Sequence, residues 1–250
     1  MSAATERLKL TIAYDGRAFC GWQSQANGKG VQDHLEAAFR AMCGERVIVH
    51  ASGRTDSGVH ALAQVAHVDV PKRAHDLRTW VLAINDRIPH EVRIVRVQRA
   101  AADFHARFSA TGKRYVYRIS PGPVLPPMEI GRAWQVPAPL DLDVLRDGTK
   151  LLTGTHDFAR FAANRGTPST DTRRTIHSIR LVRQRGILEL HFEGDGFLYK
   201  MVRLLTGSLV RCAIGRASLD WLRALIEDEQ TPKTHFLAPA EGLYLVKVLY

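Results

Sequence analysis

An alternation of apolar and polar residues near the start of the chain constrains its fold most strongly. Leu8, Leu10, Ile12 and Tyr14 occupy every second position, which is the pattern of a β-strand with one buried face. Asp15-Gly16 follows directly and is a turn signal that ends the strand. We therefore predict that the chain opens with a half-buried strand.

Helix-like and strand-like patterns alternate through the first half of the chain. Residues 31–42 and 77–84 each place apolar side chains at the spacing of one helix face. Residues 47–49, 64–70 and 92–97 have strand patterns, and a loop bracketed by glycines follows the first of these three. The predicted order is strand, helix, strand, loop, strand, helix, strand.

The second half again mixes strands with helices. Its predicted elements are a strand at 113–119, a helix around 142–152, paired strands at 179–182 and 187–192 joined through Gly186, a helix from Phe197 to Cys212, a short helix around 222–226 and a last strand at 243–249. Because the halves have a similar order of elements, we predict an α+β fold of two related α/β halves with antiparallel or mixed sheets. The predicted N-terminal half is 1–105 and the predicted C-terminal half is 106–250.

The charge balance indicates a polyanionic partner. Lys and Arg number 35 against 25 Asp and Glu, which gives a net charge of 35 − 25 = +10, and nucleic acid is the commonest partner of such a chain. Of the basic residues 27 are Arg, which can fork onto phosphates and stack on bases. A GC-rich genome would explain the excess of Arg over Lys equally well, but it would not explain the net charge.

The sequence gives no sign of a membrane segment, a disulfide framework or a metal site. No run approaches the roughly 18 apolar residues of a membrane span, and Met1–Arg7 lacks an apolar signal-peptide core. Cys20, Cys43 and Cys212 are odd in number and far apart, without a Cys-x-x-Cys pair. These features predict a cytoplasmic protein with no structural metal.

The loop Gly53-Arg54-Thr55-Asp56-Ser57-Gly58-Val59-His60 carries the first candidate catalytic group. On these residues alone, two interpretations compete. In the first, Asp56 caps backbone N–H groups in an Asx-type turn between the glycines. In the second, Arg54 and the basic charge of the chain keep the Asp56 carboxylate ionised at neutral pH, so that it can act as a nucleophile or base.

A strand of alternating aromatic and basic residues carries the second candidate. Residues 112–118 place Tyr115 and Tyr117 on one strand face among three basic residues. Such a strand can stack a nucleobase, which contributes about 1–3 kcal/mol per base. A core strand in which both tyrosines are buried fits the same pattern.

Arg203 is the third candidate, because it lies among apolar residues of the predicted helix at 197–212. An unpaired cation is costly in such surroundings, so we predict a carboxylate partner for it. Asp56 is the first candidate for that partner, and Asp195 and Glu193 are the alternatives.

These segments together resemble the TruA-type tRNA pseudouridine synthases. Their order and spacing along most of the chain are highly specific, although each alone is a weak signal. Ser57 stands where the family commonly has Ala, which exchanges one small side chain for another. The matching segments are Asp15-Gly16, Phe19-Cys20-Gly21-Trp22-Gln23, Val31-Gln32, Gly53 to His60, Phe104-His105-Ala106-Arg107-Phe108-Ser109-Ala110, Lys113 to Tyr117, Gly154 to Phe158, Met201-Val202-Arg203 and Ala238 to Leu243.

The resemblance implies a fold, a substrate and an assembly. The fold consists of two related halves, similar to an RNA-recognition sheet used twice, whose sheets join across a central basic cleft. The substrate is tRNA, in which uridines 38, 39 and 40 of the anticodon stem–loop become pseudouridine. The assembly is a homodimer that contacts one tRNA through both subunits, and neither a metal nor an organic cofactor takes part.

The resemblance also assigns roles to five residues. Asp56 matches the catalytic Asp, Tyr115 the tyrosine that stacks on the target base, and Arg203 the basic residue that pairs with that Asp. Arg54 matches an arginine implicated in displacing the target base, and Leu243 matches an apolar residue that lines the pocket. Asp56 has two possible roles in the implied isomerisation, attack on C1′ or removal of the 2′ proton.

Two other functions fit part of the sequence. A non-catalytic tRNA-binding protein or chaperone would share the basic charge and the aromatic strand, and only the Asp56 loop with Arg203 separates it from an enzyme. A nucleosidase or base glycosylase could use the same carboxylate, but it would release free uracil. Glycosidases usually use two carboxylates, and the sequence offers no clear second one near Asp56.

Overall fold

The computed structural model describes four ranges of the chain, 5–26, 28–72, 75–163 and 171–250. They divide into two compact units. Unit 1 consists of Met1–Thr111 with Leu245–Tyr250, and unit 2 consists of Gly112–Tyr244. The boundary between the two halves that the sequence predicted, at 105/106, stays a prediction. In the described ranges, no helix combines the length and the apolar character that crossing a membrane would need.

The described residues of unit 1 form two α-helices and a set of strands, most of which are seen to pair antiparallel. Its elements are β1 (Thr5–Tyr14), α1 (Val31–Cys43), β2 (His50–Ala51), β3 (His60–Pro71), α2 (Leu77–Asn85), β4 (Val92–Ala100) and the end of β10 (Leu243–Leu249). The strand order is β4-β1-β3-β10, and β2 pairs with β3. The strand–helix order predicted for the first half is thus confirmed, although the short second strand lies at His50–Ala51 and not at 47–49.

The two faces of β1 differ in burial, as the alternation predicted. Leu8, Leu10 and Ile12 are fully buried, and so are the apolar residues on the inner sides of α1 and α2. Lys9 belongs to the opposite face because successive strand residues point to opposite sides. It lies beside His67, its register partner on β3.

The described residues of unit 2 form three α-helices and a further set of strands that pair mainly antiparallel. Its elements are β5 (Gly112–Pro121), β6 (Trp134–Val136), α3 (Leu142–Leu152), β7 (Gly154–Asp157), β8 (Arg173–Gln184), β9 (Ile187–Gly194), α4 (Met201–Ala213), α5 (Leu219–Glu227) and the start of β10. The strand order is β5-β9-β8-β7, and β6 runs parallel to β5. The predicted α+β class with antiparallel and mixed pairing is confirmed.

The hairpin in unit 2 agrees with the prediction, but the start of α4 does not. Arg185 and Gly186 both have positive φ, which suits a two-residue hairpin turn between β8 and β9. The predicted helix from Phe197 begins only at Met201. Lys200 adopts a left-handed conformation with φ 62° immediately before it, so the apolar residues at 197–199 precede the helix.

Candidate active site

The loop at 53–60 joins β2 to β3, and Gln64 of β3 anchors its first residues. The Gln64 side chain accepts a hydrogen bond from the Ser52 hydroxyl at 2.8 Å. It also donates from Nε2 to the Gly53 carbonyl at 2.9 Å. Ser52 and Gln64 are both buried, so these bonds fix the entry to the loop.

Thr55 anchors the middle of the loop to the end of β1. Its hydroxyl lies 2.8 Å from the Tyr14 hydroxyl, and its carbonyl accepts a hydrogen bond from the Trp22 N–H at 3.1 Å. Burial raises the pKa of Tyr14 to about 12, which keeps this phenol neutral at physiological pH. The residue directly before Asp56 is therefore held by both its side chain and its backbone.

The turn at Asp56 is closed by the backbone. The Val59 N–H donates to the Asp56 carbonyl at 3.1 Å, and Gly58 has a φ of +80°. Ser57 donates from its hydroxyl to the Phe19 carbonyl at 3.2 Å. Asp56 is half-buried and Arg54 is exposed. Because neighbouring residues supply these bonds, the loop does not depend on the Asp56 carboxylate alone for its shape.

Two glycines allow the chain after β1 to lie against this loop. A Cβ atom on Gly16 would lie 2.1 Å from the Val59 carbonyl oxygen. Gly21 has a φ of +95°, and a Cβ atom there would lie 2.6 Å from the Thr55 carbonyl oxygen. Only glycine fits either position without moving the loop backbone.

Gly16→Ala should therefore destabilise unit 1 and disturb the loop. The added methyl group must displace the Val59 backbone, and forced overpacking of this kind costs about 1–3 kcal/mol. Denaturant unfolding would measure the loss. Gly196→Ala is the control, because its Cβ would meet atoms no closer than 3.5 Å. Equal unfolding midpoints for the two variants would show that Gly16 does not pack closely in solution.

In unit 2, the two tyrosines of β5 differ in burial. Tyr117 is fully buried and donates its hydroxyl to the Pro239 carbonyl at 2.7 Å. Tyr115 is half-buried, and its ring makes a T-shaped contact with Phe197 at a centroid distance of 5.2 Å. The interpretation as a core residue therefore applies to Tyr117, while Tyr115 retains an accessible part of its ring.

Arg203 lies in the first turn of α4 and is fixed by the segment before β10. Its Nε donates to the Ala238 carbonyl at 2.8 Å, and the Ala238 N–H donates to the Arg203 carbonyl at 3.2 Å. Of the alternative partners, Glu193 pairs with Arg114 at 2.8 Å, and Asp195 accepts a hydrogen bond from the Thr175 N–H. The pairing of Arg203 with Asp56 stays a prediction.

Tyr117 connects Arg203 with the residues that precede Leu243. Burial raises the pKa of Tyr117 well above its usual value; the positive charge of Arg203 opposes this shift and the negative charge of Glu241 adds to it. A Cβ atom on Gly242 would lie 2.7 Å from the Tyr117 ring. Leu243, which follows, is buried. Within unit 2 the structure thus places the charges of Arg203 and Glu241 near a neutral phenol, with Leu243 directly after the glycine that packs on it.

Sequence reasoning gave no role to Tyr117 or Glu241. Tyr117 shares the strand face of Tyr115, and periodicity cannot tell which of two such residues is covered. Glu241 lies in the segment from Ala238 to Leu243. The sequence signal for it was an isolated carboxylate directly before a glycine and an apolar strand.

Comparison with known proteins identifies the class to which this arrangement belongs. A family model described as tRNA pseudouridine synthase matches residues 10–109 and 149–250. A tRNA pseudouridine synthase A of Akkermansia muciniphila is 44% identical, over 98% of this chain and 95% of that protein. One of Rhodopseudomonas palustris is 42% identical, over 98% and 99%. One chain of a Cbf5-Nop10-Gar1 complex aligns with 81% of this chain and 44% of its own length, at 10% identity and a TM-score of 0.35, which is too weak to bear on function.

The chain belongs to the tRNA pseudouridine synthase family. The predicted class of function, an isomerase that forms pseudouridine in tRNA, is confirmed. The roles predicted for individual site residues are not tested by these matches and stay predictions.

Proposed function

We propose that this protein converts uridines 38, 39 and 40 of the tRNA anticodon stem–loop to pseudouridine, with Asp56 as the catalytic carboxylate. The observation that carries the proposal is the Asp56 loop, which neighbouring residues anchor at Gly53, Thr55 and Ser57 in a member of this family. A loop anchored in this way can present a carboxylate in a fixed position, and such positioning supports catalysis.

The reaction is an isomerisation at one nucleotide. The C1′–N1 bond breaks, the uracil turns, and C5 joins C1′; the C5 proton leaves and N1 takes up a proton, so no atom is lost overall. The target base must first leave its stack, at a cost of a few kcal/mol. We assign Arg54 to displacing the base, Tyr115 to stacking on it and Leu243 to lining its pocket. Asp56 either attacks C1′ or removes the 2′ proton, and an ionised carboxylate is needed in both cases.

Arg203 is proposed as the partner of Asp56. Its bond to the Ala238 carbonyl uses Nε, and a guanidinium carries further N–H donors. Tyr117, whose pKa is raised by burial, stays protonated and is not proposed as the base that takes the C5 proton. That step is assigned to Tyr115 or Asp56.

The proposal includes the assembly and the compartment. A homodimer that contacts one tRNA through both subunits, acting in the cytoplasm, fits the family resemblance and the net charge of +10. Sedimentation of the purified protein with and without tRNA measures this directly. A complex of two chains with one tRNA supports the proposed dimer. A complex of one chain with one tRNA contradicts it.

Mapping the product by position tests the proposed function. The purified protein is incubated with a tRNA transcript that has uridines at 38, 39 and 40 and at several other positions. Pseudouridine is then located by carbodiimide labelling and reverse transcription. Modification confined to 38–40 supports the proposal, and modification at other positions contradicts the assigned target.

Substitutions of Tyr115 test its proposed contact with the base. Tyr115→Phe keeps the ring and its contact with Phe197, whereas Tyr115→Ala removes the stacking surface. Since stacking contributes about 1–3 kcal/mol per base, Tyr115→Ala should weaken tRNA binding about 5-fold to 150-fold more than Tyr115→Phe. The measurement is Kd by filter binding. Equal losses of binding would place Tyr115 outside the base pocket.

A further inference from the structure

Four aromatic rings form a cluster on the face of the unit 1 sheet to which Lys9 belongs. His67 of β3 stacks on His50 of β2 at a centroid distance of 5.0 Å and an interplanar angle of 21°. His67 also makes a T-shaped contact with His105 at a centroid distance of 4.6 Å. His105 in turn contacts the Phe108 ring at 4.3 Å. Phe108 is the outermost ring and 76% of its surface is exposed.

The segment 104–109 holds Phe108 in this exposed position through several hydrogen bonds. His67 Nδ1 accepts a bond from the Ala106 N–H at 3.1 Å, and the Tyr250 hydroxyl donates to the Ala106 carbonyl at 2.8 Å. His105 Nδ1 accepts a bond from the Phe108 N–H at 3.2 Å. The exposed ring is therefore presented by an ordered segment, although leaving it in water forgoes the gain from burial.

Cations lie beside the Phe108 ring and on the same face of the sheet, and few carboxylates offset them. Lys9 Nζ lies 3.7 Å from the Tyr250 ring centroid. The pKa of Lys9 is lowered, first by burial and then by the positive charge of Arg96. Arg107 lies 5.5 Å from the Phe108 ring centroid. In the part of the chain that the structure describes, no carboxylate pairs with Lys9, Arg96 or Arg107.

The nearby carboxylates act on a different cation. Asp69 pairs with Arg7 at 2.6 Å, and the negative charge of Asp103 also acts on Arg7. Four cations (Arg7, Lys9, Arg96 and Arg107) thus stand against two carboxylates, Asp69 and Asp103, so the surface keeps a net positive charge. Arg96 of β4 is the register partner of Thr11, which lies two residues after Lys9 and therefore on the same face of β1, so both cations are available to an anion on this face.

We propose that this surface is a second RNA contact, in which Phe108 stacks on an unpaired tRNA base while Lys9 and Arg96 bind the adjoining phosphate. An exposed ring beside unpaired cations is the combination that binds single-stranded nucleic acid. Paired bases in an A-form helix do not expose their faces, so the contact is to a loop or an end. That the RNA is tRNA rests on the proposed function.

This contact is separate from the site of the reaction. Lys9 lies five residues before Tyr14 on β1, and Tyr14 is bonded to Thr55 of the catalytic loop. At about 3.3 Å per residue, this is about 17 Å along the strand. The base on Phe108 is therefore a different nucleotide from the target uridine, and removing the Phe108 ring should affect binding more than the chemical step.

Substitutions on this surface, with matched controls on the helices, test the proposal. Phe108→Ala should raise the Kd for tRNA about tenfold, which corresponds to about 1.4 kcal/mol, whereas Phe108→Trp should retain binding. The Lys9→Ala/Arg96→Ala pair should also lower the slope of log Kd against log salt by about one for each phosphate that is no longer bound. The controls are Leu82→Ala and Arg40→Ala, which remove an exposed apolar side chain and an exposed cation.

The outcomes separate this inference from the proposed function. If these variants bind tRNA as the controls do while pseudouridine forms at the expected positions, the second contact is wrong and the proposed function stands. If the wild-type protein makes no pseudouridine but Phe108→Ala still weakens tRNA binding, the contact stands and the function fails. A change in oligomeric state on Phe108→Ala, with an unaltered Kd, would assign the surface to a second copy of the chain and overturn the inference.

Discussion

Asp56→Asn should fold, bind tRNA and form no detectable pseudouridine. The bonds that anchor the loop come from Gln64, Tyr14 and Ser57, so an amide of the same shape leaves them intact. The amide cannot supply the negative charge that either proposed role of Asp56 requires. We expect kcat/KM to fall about 10³-fold or more, as for other essential catalytic groups. Single-turnover kinetics, with the protein in excess over tRNA and well above Kd, would measure the chemical step.

The control for this variant is Asp86→Asn, which changes a carboxylate that is 81% exposed. It should have wild-type kinetics, and both variants should unfold at the same temperature as the wild type. If Asp56→Asn forms pseudouridine at a rate near that of Asp86→Asn, then Asp56 is not the catalytic carboxylate. A folded Asp56→Asn protein that no longer binds tRNA would instead make Asp56 a binding residue.

Arg203→Ala should have the second largest effect, with kcat/KM reduced about 10²-fold, in the range for removal of one fixed electrostatic partner. The bond from Arg203 to the Ala238 carbonyl holds the guanidinium in one orientation, and its charge already acts on Tyr117. Arg203→Lys keeps the charge but loses the planar fork, so it should recover only part of the activity. The measurement is kcat/KM for all three proteins on one tRNA.

Loss of stability must be separated from loss of chemistry for Arg203. Leaving the Ala238 carbonyl without its donor costs about 1–3 kcal/mol, so the assay belongs at a temperature where the variant is fully folded. Arg223→Ala, on the exposed side of α5, is the matched control. If Arg203→Ala is less stable but has unchanged kcat/KM, then Arg203 is a structural residue.

The sequence predicted those parts of the fold that follow from local periodicity. The alternation from Leu8 to Tyr14 marks a strand with one buried face, and the structure buries that face. The predicted start of α4 was wrong because the residues from Phe197 to Tyr199 fit the apolar pattern of the helix that follows them. Lys200 adopts its left-handed conformation where the chain passes from β9 to α4. No local sequence pattern predicts this conformation.

The candidate site was predictable only in part. The glycine-bracketed loop indicated Asp56, but the residues that anchor it, Tyr14 and Gln64, lie on strands distant in sequence. Likewise, Tyr115 and Tyr117 share a face of β5 and differ only in what covers them. Tyr117 is covered by the segment at 239–242, which folds back from the far end of the chain. Such contacts depend on tertiary packing rather than on spacing.

Tritium release from tRNA carrying uridine labelled at C5 tests the central claim most directly. Pseudouridine formation replaces the hydrogen at C5, so the wild-type protein should release one tritium into water for each modified uridine. The nucleotide should remain in the RNA, with no free uracil. Tritium retained in intact tRNA at saturating protein, or label recovered as free uracil, would contradict the account.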